Sequence, residues 1–223
     1  MVGKGKEALV CVADIQSFGS SIIKVYQAYS PVAKEFRRNT PHVKGWNASI
    51  AMVKREAQIL EYLNQRNINA PKFYFLEGPV LVMELILHEK KVAPMLSKVN
   101  LKNYGDPKEF LVEALDILLE MFELGSLVHG DFSPQNLLVS DKGLIPIDFQ
   151  QSRKINTKFF TSTPNRIRID DALKTLRSDV ITILQYFEKK YRLKLNLKEV
   201  YDRFCQTVPE HLLSKLESTW KLG

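Results

Sequence analysis

The segment Leu127-Val128-His129-Gly130-Asp131-Phe132-Ser133-Pro134-Gln135-Asn136 limits the fold more than any other, because Asp148-Phe149 follows twelve residues after Asn136. It reads as strand, loop, strand, turn, strand, with Asp141-Lys142-Gly143 as the turn. A hairpin of that length brings its two ends together, and with them Asp131, Asn136 and Asp148. A loop carboxylate at Asp131 suits the orientation of an attacking hydroxyl. Asn136 and Asp148 offer the hard oxygens that Mg²⁺ takes when it holds nucleotide phosphates. Either aspartate alone is an ordinary turn or cap residue. The full spacing is much more specific, and it points to phosphoryl transfer.

Two charge anomalies lie upstream. From Ser49 to Arg66 the sequence has helical period, with Met52, Val53, Ala57, Ile59, Leu60 and Leu63 on one arc. Glu56 falls in the middle of that arc. A carboxylate aimed at a core costs several kcal/mol (roughly) unless paired, so Glu56 demands a cation. Lys24 sits in the apolar strand Ile22-Ile23-Lys24-Val25-Tyr26 and needs an anion. Pairing the two cancels both anomalies and presents Lys24 to α- and β-phosphates. The plainer reading is a surface Lys24 on an alternating strand, with Glu56 reaching along the helix edge. Gly3, Gly5 and Lys6 precede the first long strand. Glycines permit close backbone approach to phosphates and Lys6 adds charge, although a loose terminus produces the same composition.

The rest of the layout follows from periodicity. EALVCVAD and SSIIKVYQ read as strands around Ile15–Gly19, and KFYFLEGPVLVMELI as a hairpin. Ser30 to Asn47 reads as a loop with Pro31, Pro41 and Gly45 as breakers. Helices are expected over Pro107–Leu124, stopped by Gly125, and over Asp171–Tyr191, Lys198–Gln206 and Pro209–Thr219. The fold class is therefore α+β with two lobes. Residues 1–88 form a β-rich N-lobe with one helix, and residues 89–223 a mainly helical C-lobe.

The chain has 223 residues, 45% hydrophobic and 26% charged, which is too apolar for a disordered chain. No apolar run approaches the roughly 18 residues of a membrane helix, and the first ten residues lack a secretory signal. Cys11 and Cys205 match no metal spacing and read as free thiols of a reducing compartment, so a cytoplasmic location is expected. The net charge of +7 favours a polyanionic neighbour such as nucleic acid or nucleotide phosphate, and equally fits a soluble basic protein without one. From Ser152 to Arg168, Arg153, Lys154, Lys158, Arg166 and Arg168 interleave with Phe159 and Phe160 and no acid. That pattern suits RNA, or equally a solvated loop.

Together these residues resemble the protein kinase fold, and specifically the RIO family of atypical serine/threonine kinases. The resemblance runs from about Gly3 to Tyr191. GKGKEALV looks like that family's phosphate loop, IIKVY its lysine strand and REAQIL the helix with the glutamate. VLVMELI looks like its gatekeeper and hinge, which implies nucleotide contacts at Met83, Glu84 and Ile86. LVHGDFSPQNLLV with IPIDFQQS is the nearest match, and RSDVITILQYFEKKY resembles a late helix of the family. Gly130 stands where regulated kinases have arginine, Gln150 where they have a mobile glycine, and no A-P-E triplet follows Asp148. Family members usually carry an N-terminal extension. Only Met1 and Val2 precede Gly3 here, so a shortened start is expected and a winged helix is not.

The resemblance implies a kinase or ATPase that uses ATP and Mg²⁺, with Asp131 and Asp148 catalytic and Asn136 and Asp148 on the metal. It also implies transient phosphorylation of Asp148, a role in small ribosomal subunit maturation, and partners in the pre-ribosomal particle, its RNA or a protein Ser/Thr substrate. HGDF with Pro134 and IDF also resembles aminoglycoside-type phosphotransferases. Their cationic substrates require an acidic pocket, against which the basic balance argues. A non-catalytic, ATP-binding assembly factor is the other alternative, and the presence of every motif residue argues against it.

Overall fold

The computed structural model describes residues 3–4, 8–26, 45–155, 166–167, 169–206 and 216–220. The chain divides into two compact units, Met1–Leu87 and His88–Gly223. The first unit is an antiparallel sheet of β1 (Gly3–Lys4), β2 (Ala8–Ile15), β3 (Gly19–Tyr26), β4 (Phe73–Glu77) and β5 (Val80–Glu84). Their order is β1-β2-β3-β5-β4. β2 and β3 pair without a break from Ala8↔Tyr26 to Ile15↔Gly19, and β3 pairs β5 with Lys24 opposite Leu81. Helix α1 (Gly45–Asn64) lies between β3 and β4 in sequence, and its apolar arc is buried from Met52 to Leu63.

Helix α1 begins at Gly45, four residues before Ser49, so the last three residues of the expected loop Ser30–Asn47 are helical. Periodicity starts only where a face is buried, and a first turn needs no such face. Residues 30–44 of that loop lie outside the described residues. At its other end α1 stops at Asn64 instead of Arg66. Asn67 turns left-handed at φ +56°, and Ile68 N donates to Leu63 O at 3.1 Å while Asn67 N donates to Asn64 O at 3.2 Å. These are the two bonds of a Schellman cap, with buried Ile68 as its apolar contact.

The unit boundary falls in a short hairpin of β6 (Leu87–His88) and β7 (Lys91–Val92). Helix α2 (Pro107–Glu123) follows, capped by Asp106, whose carboxylate accepts from Lys108 N at 2.9 Å. The chain then forms β8 (Leu127–Val128), β9 (Leu137–Ser140), β10 (Gly143–Pro146), β11 (Arg153–Ile155) and β12 (Arg166–Ile167). Helices α3 (Ile169–Tyr191) and α4 (Leu197–Cys205) complete the named elements, and residues 216–220 are helical. The rest of the expected last helix lies outside the described residues. Helix α2 is not ended by a left-handed Gly125. Leu124 stays right-handed and the positive φ, +43°, falls on Ser126. Ser126 O accepts from Ile155 N at 2.7 Å, so the turn is set by entry into the β8–β11 ladder.

The β9–β10 hairpin runs from Ser140↔Gly143 to Leu137↔Pro146. Gly143 has φ +99°, and an added Cβ would collide with the Glu113 carboxylate, which accepts from Leu144 N at 2.8 Å. The C-terminal end of α3 holds the segment before α2. Tyr186 OH donates to Leu96 O at 2.7 Å, and Leu101 N donates to Tyr191 OH at 2.9 Å. Ser97 N in turn donates to Pro134 O at 2.9 Å, which ties that segment to the Asp131 loop. Both cysteines are free thiols, and no described helix is long and apolar enough to cross a membrane.

Gly143→Ala is expected to destabilise the chain by about 2 kcal/mol in urea unfolding, from positive φ and the Glu113 collision together. In a Glu113→Ala background only the conformational part, about 1 kcal/mol, should remain. Equal costs in both backgrounds would contradict the collision.

Candidate functional site

In the first unit Lys24 and Glu56 meet. Period 2 along β3 places Lys24 and Tyr26 on one face. Lys24 is 8% exposed and Glu56 1% exposed. Lys24 Nζ donates to Glu56 Oε1 at 2.8 Å and to Oε2 at 3.0 Å, and Tyr26 OH also donates to Oε2. The buried carboxylate is thus met by an ammonium and a phenol. This is the arrangement such a charge requires in a core. Met83 is buried opposite Ile22, Glu84 Oε2 accepts from Lys72 N at 3.0 Å, and Ile86 lies past the end of β5. Gly3 pairs with Val10, whereas Gly5 and Lys6 lie outside the described residues.

In the second unit the loop after β8 is built around His129. The ring is fully buried; Asp131 N donates to Nδ1 at 3.3 Å, and Nε2 lies 3.2 Å from Ile147 O. Those two contacts select the neutral tautomer with its proton on Nε2. Burial pushes its pKa down to about 4, against opposing pulls from the Asp148 carboxylate and the Ile147 carbonyl. Phe132 and Phe149 pack on the same ring with centroids 5.4 and 5.1 Å away. One histidine therefore joins the loop of Asp131 to the strand end that leads into Asp148.

Asn136 Nδ2 donates to the Asp131 backbone oxygen at 2.9 Å and to its Oδ2 at 3.0 Å. Both bonds use the amide nitrogen and turn the carbonyl Oδ1 away from Asp131. Ile147 N donates to Asn136 O at 2.9 Å, which fixes Asn136 beside the approach to Asp148. Asp131 faces solvent. Partial desolvation lifts its carboxyl above the usual range, opposed by Asn136 and reinforced by Asp148. Asp148 is left-handed, φ +66° and ψ 67°, and Phe149–Gln151 form a short 3₁₀ turn in which Phe149 and Gln150 are buried. The donor set is oxygen-rich and hard, an amide carbonyl and a carboxylate, and it fits Mg²⁺.

Sequence reasoning missed Asp179. It lies on α3 and is 4% exposed; its Oδ2 accepts from Gly130 N at 2.9 Å and its Oδ1 from Phe132 N at 3.1 Å. Desolvation pushes its pKa up to about 6, against the two N–H groups; the Asp131 charge adds to the rise. The signal was the one that marks Glu56, a carboxylate within an apolar helical arc, here Leu176, Val180, Ile183 and Phe187. Gly130 is required for a steric reason as well: φ is +83°, and a Cβ would lie 2.8 Å from Gln151 O. Of the basic stretch, Arg153 is half-buried with Nη1 3.3 Å from the Gln151 and Ser152 carbonyls, and Lys154 pairs with Leu127 in the ladder. Lys158, Phe159, Phe160 and Arg168 lie outside the described residues.

Comparison with known proteins places these sites in context. The family described as the RIO domain matches residues 10–200. The RIO-type serine/threonine-protein kinase Rio1 of Methanocaldococcus jannaschii is 29% identical over 211 residues, covering 90% of this chain and 66% of that protein. The human serine/threonine-protein kinase RIO1 is 26% identical over 211 residues, 90% of this chain and 35% of that protein. The chain therefore spans less than two thirds of either relative. The crystal structure of the Rio2 kinase–ADP/Mg²⁺–phosphoaspartate complex from Chaetomium thermophilum superposes with a TM-score of 0.65 at 17% identity, covering 98% of this chain and 68% of that one. The two-lobed α+β fold is that of kinases.

The buried neutral His129 makes stability pH-dependent. Its folded pKa lies below the unfolded value of about 6.5, so its contribution is complete above that pH and declines as pH falls toward 4. The expected slope is about 1.4 kcal/mol per pH unit from this group. One of the four imidazoles should titrate near 4 by NMR and vanish in His129→Gln. Four imidazoles all titrating near 6.5 would contradict a buried neutral ring.

Proposed function

The chain belongs to the RIO domain family, and we propose that it is a RIO-type serine/threonine kinase or ATPase using ATP with Mg²⁺. The observation that carries this reading is the double donation of Asn136 Nδ2 to Asp131, which aims one hard oxygen, Oδ1, away from the loop carboxylate. In the second unit Asn136 Oδ1 and Asp148 would hold the metal, and Asp131, its carboxyl lifted by desolvation, would accept a hydroxyl proton. In the first unit Lys24 would meet nucleotide phosphates and Glu56 would orient it, with Met83, Glu84 and Ile86 at the base and Gly3, Gly5 and Lys6 near the phosphates. The metal, when bound, neutralises charge on the phosphate oxygens.

Two outcomes of phosphoryl transfer fit these residues. In one, a Ser or Thr hydroxyl attacks the γ-phosphorus, gives its proton to Asp131, and ADP leaves with the bond electrons. In the other, a carboxylate oxygen of Asp148 attacks, ADP leaves, and water later hydrolyses the acyl phosphate. The phosphoaspartate named for the Chaetomium Rio2 complex supports including the second. We place the protein in the cytoplasm, which its two free thiols support. We propose the pre-ribosomal small-subunit particle or its RNA as partner; the net charge of +7 supports this.

The roles separate by mutation with γ-labelled ATP. Asp131→Asn should lower transfer about 10²- to 10⁴-fold while Mg·ATP still binds. Asp148→Asn should lose Mg²⁺-dependent binding as well, together with any hydroxylamine-labile label on the protein. Identical Mg²⁺ titrations for the two variants would overturn this division.

A further inference from the structure

We infer that Tyr26 is a positioning residue for nucleotide binding: its phenol keeps the Glu56 carboxylate hydrogen-bonded while Lys24 turns from that carboxylate toward phosphate oxygens. The inference rests on the proposed phosphate role of Lys24 and extends that site by a residue on the same strand. Lys24 and Tyr26 are two apart on β3 and both face Glu56. All three side chains are buried. Lys24 Nζ is 2.8 Å from Oε1 and 3.0 Å from Oε2, and Tyr26 OH donates to Oε2, the oxygen farther from the ammonium.

An ammonium has three N–H donors, and two are directed at Glu56 here. A phosphate that takes one of these two N–H groups removes donor capacity from a carboxylate 1% exposed to water. Stripping a buried carboxylate of a donor is costly unless another remains. The phenol supplies that donor at Oε2, so Lys24 can loosen its longer contact and stay bonded to Oε1. Tyr26 is itself fixed, with its backbone N donating to Pro79 O at 3.0 Å and Lys24 Nζ 5.6 Å from its ring centroid. Phenylalanine preserves the ring and that cation–π contact, so Tyr26→Phe removes the hydroxyl alone.

The test is Mg·ATP binding and turnover by the full chain, wild type and Tyr26→Phe, each also in a Glu56→Gln background. Tyr26→Phe should weaken Mg·ATP by up to about tenfold, the value of one hydrogen bond to a charged group that counts in full only once Lys24 has loosened, with kcat changed less than about twofold. In the Glu56→Gln background the same change should have less than about a twofold effect, because a neutral amide does not need the second donor. Unchanged affinity in Tyr26→Phe, or an equal loss in both backgrounds, overturns the inference and leaves Tyr26 as packing. Lys24→Ala distinguishes the failures. Unchanged affinity there removes the phosphate role of Lys24 and this inference with it. Lost affinity there without a Tyr26→Phe effect overturns this inference alone.

Discussion

A single buried carboxylate organises the loop that presents Asp131. Asp179 takes the N–H groups of Gly130 and Phe132, on either side of Asp131, onto its two oxygens. Those donors point inward from an irregular loop, where no strand or helix partner exists for them. Because both are satisfied from beneath, the intervening Asp131 side chain is left on the solvent side. Here Asn136 rather than the core sets its direction. His129 completes the frame by bonding the same loop to Ile147, one residue before Asp148.

The distribution of buried polar groups shows the same economy. Among the described residues the buried polar or charged side chains are Ser21, Lys24, Glu56, His129, Gln150, Ser152 and Asp179. Apart from Ser21, each belongs to the Lys24–Glu56 pair or to the frame around Asp131 and Asp148; Ser152 Oγ, for instance, donates to His129 O at 3.0 Å. Buried polar groups cost stability unless fully partnered, and proteins keep them where function requires fixed geometry. The remaining core is apolar, from Leu60 and Leu81 in one unit to Leu118, Leu176 and Phe187 in the other.

Much of this was legible in sequence because it rests on periodicity and on charge in the wrong place. Glu56 and Lys24 stood out from apolar surroundings, and their pairing follows from the cost of leaving either alone. The strands around Ile15–Gly19 and the Asp141–Gly143 turn follow from alternation and turn chemistry. Helix ends were less legible: α1 ends at a Schellman cap on Asn67, and α2 turns at Ser126 because β11 takes its carbonyl. Both depend on tertiary partners or non-glycine left-handed residues, which composition does not announce. Asp179 and Tyr26 carried readable signals, one in an apolar arc and the other beside Lys24, but their roles appear only once their oxygens have partners.

The central claim is that Asn136 and Asp148 are a hard-oxygen pair for a metal that phosphoryl transfer requires. Release and transfer of the γ-phosphate of ATP by the purified chain, followed through stripping with EDTA and re-addition of Mg²⁺, tests it most directly. The account predicts turnover that disappears on stripping and returns with Mg²⁺. Turnover that continues unchanged in EDTA, or ATP that is never turned over with Mg²⁺ present, would contradict it.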